Sequence, residues 1–202
     1  MLHAAGYRTG RYSSPHLLRY NERVRVDACD VSDATLVEGF EAVERAREGI
    51  ALTYFEYGTL AAIWTFAQLP LDAWVMEVGL GGRLDAVNVL DADCAVLTGV
   101  ALDHMDYLGD TREAIGYEKA GIFRAQQPAV IADLQPPASV LEVAARVGAQ
   151  VQLVQRDFGY AADKTQWLYW GPFGKRPGLA YPALRGPIQL LNAAAAITAL
   201  DS

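Results

Sequence analysis

Three short, unbroken apolar runs decide what this chain can become. AWVMEVGL (73–80), DCAVLTGV (93–100) and PAVIAD (128–133) have the length of strands and show no polar alternation. Such runs read as strands covered on both faces, the condition of a parallel sheet with helices on either side. Helical patterns are interleaved with them. One spans about 33–48, opened by Ser32 and Asp33 and ended by Gly49. A second, YFEYGTLAAIWTFAQL (54–69), is apolar over most of its circumference and is followed by Pro70. Two more cover about 112–121 and 138–148, the latter closed by Gly148, and LNAAAAITAL (191–200) opens a last one. Residues 1–6 read as the tail of a helix stopped by Gly6, YRTGRYSSPHL as a short strand and loop, NERVRV as a strand or hairpin arm, and AQVQLVQ as a further strand. The expected fold is α/β, a mostly parallel sheet flanked by helices, cut at both ends. Between 157 and 187, aromatic pieces such as TQWLYWG, broken by glycines and prolines, predict a small antiparallel ribbon.

Composition narrows the function classes. At 202 residues, with 52% apolar and 20% charged side chains, the chain can bury a sizeable core. Its net charge of −7 argues against a nucleic-acid partner held by phosphate neutralisation. Cys29 and Cys94 are far apart and form no C-x-x-C, so both are expected as free thiols, and the cytoplasm is the expected compartment. No stretch is long and apolar enough to predict a membrane span.

Ligands of open parallel sheets bind beyond the carboxyl ends of the strands. Glu77 ends one apolar run, and Asp103 and His104 follow the next. Glu77 reads either as a cation ligand or as a cap for a neighbouring helix or partner of Arg83; a buried carboxylate there would be costly unpaired. His104 is either a loop histidine or a metal ligand oriented by Asp103 or Asp106. Lys119 lies within a helix, where solvation is the ordinary fate of a lysine. The glycines of EVGLGGRLDAVN leave room for a ligand beside Glu77, or simply make a tight turn; Leu84 spoils a dinucleotide fingerprint. YSSPHL offers two hydroxyls before a proline turn, and Arg19, Arg23 and Arg25 read as a solvated strand face.

AAGYRTGRYSSPHL, LTYFEYGTLAA, EVGLGGRLDAVNV, LDHMDYLGDT and EKAGIF, in this order and spacing, resemble the folylpolyglutamate synthase and dihydrofolate synthase family of Mur-ligase-like enzymes. The resemblance implies an ATP-dependent ligase that joins L-glutamate to dihydropteroate or a reduced folate through an acyl phosphate. It implies Ser14, Glu77 and His104 as Mg²⁺ ligands, with Lys119 as a further ligand if carbamylated and, with His104, as a catalytic group. It assigns Asp85, Ala86 and Phe55 to the pterin, and Gln189 and Asn192 to the nucleotide. GPIQLLN departs from the family's G-x-H-Q-x-x-N, with Ile188 in place of histidine. No G-x-x-x-x-G-K-[ST] phosphate loop occurs. Residues 1–202 are therefore expected as a single incomplete P-loop-type ATPase domain, without the glutamate-binding C-terminal domain, inactive by itself and monomeric in its full-length form. The alternatives are a Mur-type ligase of cell-wall precursors, which shares K-A-x-x-F, or a non-catalytic fragment or binding module.

Overall fold

A computed structural model describes all 202 residues. The chain forms two compact units, one of residues 1–80 and 85–89, the other of residues 81–84 and 90–202.

The first unit opens with a 3₁₀ turn, His3–Ala5, closed by Gly6 in the left-handed region at φ 92°. Strand β1 (Thr9–Tyr12) pairs antiparallel with β2 (Val24–Val26), which turns into β3 (Cys29–Asp30). Helices α1 (Asp33–Ala46) and α2 (Tyr54–Ala67) follow, and then β4 (Ala73–Met76), parallel to β1, to give the order β3-β2-β1-β4. The ends of both helices are written in the sequence. Ser32 Oγ accepts from Thr35 N–H at the start of α1. At α2, Thr53 and Glu56 form a reciprocal capping box, Thr53 Oγ1 accepting from Glu56 N–H (3.2 Å) and Glu56 Oε2 from Thr53 N–H (2.7 Å). The helices cross closely because Gly39 has no side chain; a Cβ there would lie 3.1 Å from the Ala61 carbonyl. Tyr12, Val24, Leu36, Ala62, Phe66 and Val87 form the core of this unit.

The second unit holds a parallel sheet of β5 (Ala95–Leu97), β6 (Pro128–Ile131) and β7 (Gln150–Leu153), in that order. Its helices are α3 (Met105–Leu108), α4 (Arg112–Ala120), α5 (Ala138–Val147) and α6 (Gln189–Asp201). The expected aromatic ribbon is an antiparallel sheet of β8 (Gly159–Ala162), β9 (Trp167–Gly171) and β10 (Gly174–Leu179). Two cores share β6: Ala129 and Ile131 face Ile115, Phe123 and Val140, while Val130 faces Phe158, Tyr169 and Ile197. The Tyr169 and Thr198 hydroxyls meet at 3.0 Å and satisfy each other in the second core. No helix is long and apolar enough to cross a membrane.

Three expectations need correction. Only β6 is fully covered on both faces, with Ala129, Val130 and Ile131 at 0% exposure. β4 and β5 are edge strands, with Val75 49% and Val96 37% exposed. An apolar run records hydrophobicity and not the number of hydrogen-bonded neighbours, and each of these runs has one. NERVRV is only half strand: Tyr20–Arg23 is a 3₁₀ turn, held because the Asn21 amide donates to Val31 O and to Asp33 Oδ1. Arg23 is not on a solvated face; it is buried. Both cysteines are free as expected, and burial pushes the Cys94 thiol up to about 11, which leaves it unreactive.

Candidate active site

In the first unit the site starts from strand register. β1 and β4 are parallel with Tyr12 opposite Met76, so Ser13, Ser14 and Glu77 leave the sheet together at its carboxyl end. Glu77 N–H donates to Tyr12 O (3.0 Å), and Ser14 N–H donates to Glu77 Oε2 (3.0 Å). The Ser14 hydroxyl and Glu77 Oε1 have no hydrogen-bond partner within the protein. Glu77 is exposed, so the desolvation cost expected for a buried carboxylate does not arise. Nor does it cap a helix or pair with Arg83, whose guanidinium instead holds Glu118 at 2.9 Å.

The glycine loop is not the empty space expected beside Glu77. A Cβ on Gly79 would lie 2.5 Å from Phe55 Cζ, so the Phe55 ring fills that space. Asp85 holds the same turn from the other side. Its Oδ2 accepts from Gly79 N–H (3.0 Å) and Leu80 N–H (2.9 Å), and its Oδ1 from Val87 N–H (2.8 Å). Ala86 opens the 3₁₀ turn Ala86–Val89 that follows. Phe55 and Asp85, assigned with Ala86 to one ligand from the sequence, thus both meet Gly79, and Ala86 follows Asp85 in the chain. Phe55 also packs on Tyr12, ring centroids 5.9 Å apart, and burial raises the Tyr12 phenol.

The remaining candidates lie in the second unit. His104 is exposed and left-handed (φ 51°, ψ 41°), the residue before α3. Histidine tolerates that region better than most side chains, and five other non-glycine residues of the chain adopt positive φ as well. Asp103 Oδ1 accepts the His104 backbone N–H (2.8 Å), while Asp103 Oδ2 lies 3.6 Å from Nε2, too far for a hydrogen bond to the ring. Lys119 is half-buried in the last turn of α4, its ammonium in no ion pair or hydrogen bond. Gly82 presses on the carbonyls of Glu118 and Lys119 there; a Cβ would sit 2.8 Å from both. Gln189 and Asn192 occupy the first turn of α6, and their side-chain amides make no protein hydrogen bond. No hydrogen bond or ion pair joins His104, Lys119, Gln189 and Asn192 to one another.

Sequence reasoning missed Glu22. Its carboxylate accepts the N–H groups of Leu17 (2.8 Å), Leu18 (2.9 Å) and Arg19 (2.7 Å), closing the loop that carries Ser14. A Glu three residues after the start of a helical turn is the usual signal, but Arg19 stands where Ser or Thr would have announced it. These hydrogen bonds push the Glu22 carboxyl down to about 2. The folded value lies below the ordinary 4.5, so the contribution is full above pH 4.5 and is lost as pH falls through about 2. Exchange protection of the Leu17, Leu18 and Arg19 amides should therefore persist at pH 4.5 and disappear near pH 2. Loss of protection already at pH 4.5 would refute the arrangement.

Residues 38–170 match the family model of the Mur ligase middle domain. The dihydrofolate synthase/folylpolyglutamate synthase of Escherichia coli K12 is 47% identical over 200 residues, covering 99% of this chain and 46% of that protein. The chain belongs to the folylpolyglutamate synthase/dihydrofolate synthase family. Its fold is that of solved members. E. coli FolC in complex with DHPP and ADP superposes with a TM-score of 0.95 at 46% identity, over 99% of this chain and 47% of that one. A bifunctional folylpolyglutamate synthase/dihydrofolate synthase with Mn, AMPPNP and L-glutamate bound gives 0.92 at 46% identity, over 99% and 48%. The chain thus spans a little under half the length of these family members.

Proposed function

We propose that these residues serve an ATP-dependent ligase that joins L-glutamate to dihydropteroate or a reduced folate, activating the acceptor carboxylate as an acyl phosphate. The observation that carries the reading is the pair of uncommitted oxygens, Ser14 Oγ and Glu77 Oε1, at the same strand ends as the Phe55–Asp85–Ala86 cluster. Family members bound to ADP, AMPPNP, DHPP and L-glutamate support the reactants.

A hydroxyl and a carboxylate suit a hard divalent ion, Mg²⁺ in this reading, and no three His, Cys, Asp or Glu side chains gather into a metal cage. Such a donor set leaves further coordination to phosphate oxygens and water, as is usual at nucleotide sites. Bound there, the ion would neutralise charge on the transferring phosphoryl group. His104, and Lys119 as a carbamate, are proposed as ligand and catalytic groups of the reaction because LDHMDYLGDT and EKAGIF resemble the family's strings. Phe55 offers a ring face to a pterin, Asp85 and Ala86 its polar edge, and Gln189 and Asn192 free amides to the nucleotide. No phosphate-loop motif occurs among the 202 residues, so the purified chain is expected to show no ligation by itself. The cytoplasm and a monomeric full-length form complete the proposal.

The test is Mn²⁺ titration of the purified chain followed by water-proton relaxation. Glu77→Gln should weaken binding about tenfold, the loss of one charge-assisted ligand, and Ser14→Ala should weaken it less. Binding that is indifferent to both substitutions would sink the proposal.

A further inference from the structure

Most backbone N–H groups of the Ser14 loop are committed. Ser13 N–H donates to Arg23 O (2.9 Å), Ser14 N–H to Glu77, and those of Leu17, Leu18 and Arg19 to Glu22. Pro15 has none to give. The His16 ring is held as well, its Nδ1 accepting from Arg23 Nε at 2.8 Å. Arg23 therefore grips the loop at two points on either side of Ser14, one through its carbonyl and one through its side chain.

Arg23 is an unusual residue to find there. It is 8% exposed and has no carboxylate within ion-pair distance. Its guanidinium carbon instead lies 5.4 Å from the Tyr20 ring centroid and 5.6 Å from that of Tyr54. A buried cation without an anion is poor economy for stability, and an apolar side chain of similar volume would serve a mere core better. What the guanidinium adds is geometry. Its planar fork, clamped against two aromatic rings, fixes the direction of Nε and so the place of His16. Glu22 does the same for the far side of the loop. The loop is held at both flanks, and the Ser14 hydroxyl, like that of Ser13, is left without a protein partner.

We infer that Glu22 and Arg23 are positioning residues that hold the Ser13–Arg19 loop ready, so that Ser14 and Glu77 meet a divalent cation without prior ordering of the loop. The inference rests on the metal reading above. A ligand pair set in advance binds more tightly than one that must first lose its conformational freedom.

Two readouts on the full 202-residue chain separate bracing from binding. Amide exchange by NMR reports the loop, and Mn²⁺ relaxation titration reports the ligands. With Glu22→Gln, the Leu17–Arg19 amides should exchange about tenfold faster, the loss of a charge-assisted acceptor, and Mn²⁺ affinity should fall several-fold. Glu22→Asp, which keeps a carboxylate, should recover most of both. Arg23→Lys keeps the charge but not the fork, and should loosen the Ser14 amide and weaken Mn²⁺ in the same direction. Faster exchange with unchanged Mn²⁺ affinity would show the brace to be structural only and overturn the inference, as would exchange that does not respond. A wild-type chain without a Glu77-dependent Mn²⁺ site would overturn both the metal reading and the inference, and exchange would then still show whether the loop is braced.

Discussion

Gly82→Ala should destabilise the chain by about 3 kcal/mol, at the upper end of what overpacking costs. The reason lies in what the new methyl group meets. It would sit 2.8 Å from the carbonyl oxygens of both Glu118 and Lys119 and 3.1 Å from Ile122 Cγ2. The first two are backbone atoms at the end of α4, and they cannot turn aside as a side chain could. The next residue adds to the constraint: Arg83 N–H donates to Glu118 O (2.8 Å), and Gly121 lies so close that its own Cβ would be 2.6 Å from Arg83 Cα. Residues 82 and 83 are thus wedged against the turn that ends α4. Gly99→Ala is the matched control, since nothing lies within 4 Å of a Cβ there, and it should leave the urea midpoint nearly unchanged. A Gly82→Ala chain as stable as the wild type would mean that the loop does not rest on α4. The same contact sets the backbone of Lys119, so relief of the clash should also move the proposed carbamate site.

Asp85→Ala should cost about 3 kcal/mol, because three amide donors lose a charged acceptor together. Asp85→Asn keeps one oxygen and should fall between, the new amide group facing a backbone N–H that it cannot accept from. Equilibrium urea unfolding of the two variants decides the matter. Were stability to stay at the wild-type level while dihydropteroate affinity fell, Asp85 would be a ligand contact alone. If both fall together, its first duty is to shape the turn against which Phe55 packs, and any contact with a ligand is made by a group already employed.

Asp85 also shows how far the sequence could be read. Its assignment to a ligand together with Phe55 and Ala86 came from resemblance alone, and the structure brings Phe55 and Asp85 to the same glycine, Gly79. Its three amide partners are invisible in sequence because they depend on how the chain doubles back over residues 79–87. Local signals did better: Ser32, Thr53 with Glu56, Gly6 and Gly148 mark helix ends by hydrogen bonding and backbone freedom within a few residues. The apolar runs marked strands at the right places but longer than the strands that form, and 73–76 and 95–97 turned out to be edges, because pairing is a property of the sheet. Arg23 was misread for a related reason. Alternation in NERVRV suggests an outward arginine, and only the aromatic box of Tyr20 and Tyr54 turns it inward.

The pairing of β1 with β4 has a consequence for how the site comes into being. Ser14 and Glu77 are 63 residues apart in the chain, whereas β1 meets β2 across residues 13–23 and α1 meets α2 across residues 47–53. Closing the longer loop carries the greater entropic toll, and contacts of large sequence separation are the slow ones in folding. The hairpin and the helix pair can form from local contacts, but the serine and the carboxylate become neighbours only when β4 docks. The hydrogen bond between them is thus a mark of maturity: whatever local structure a chain holds before β4 docks, it has no site.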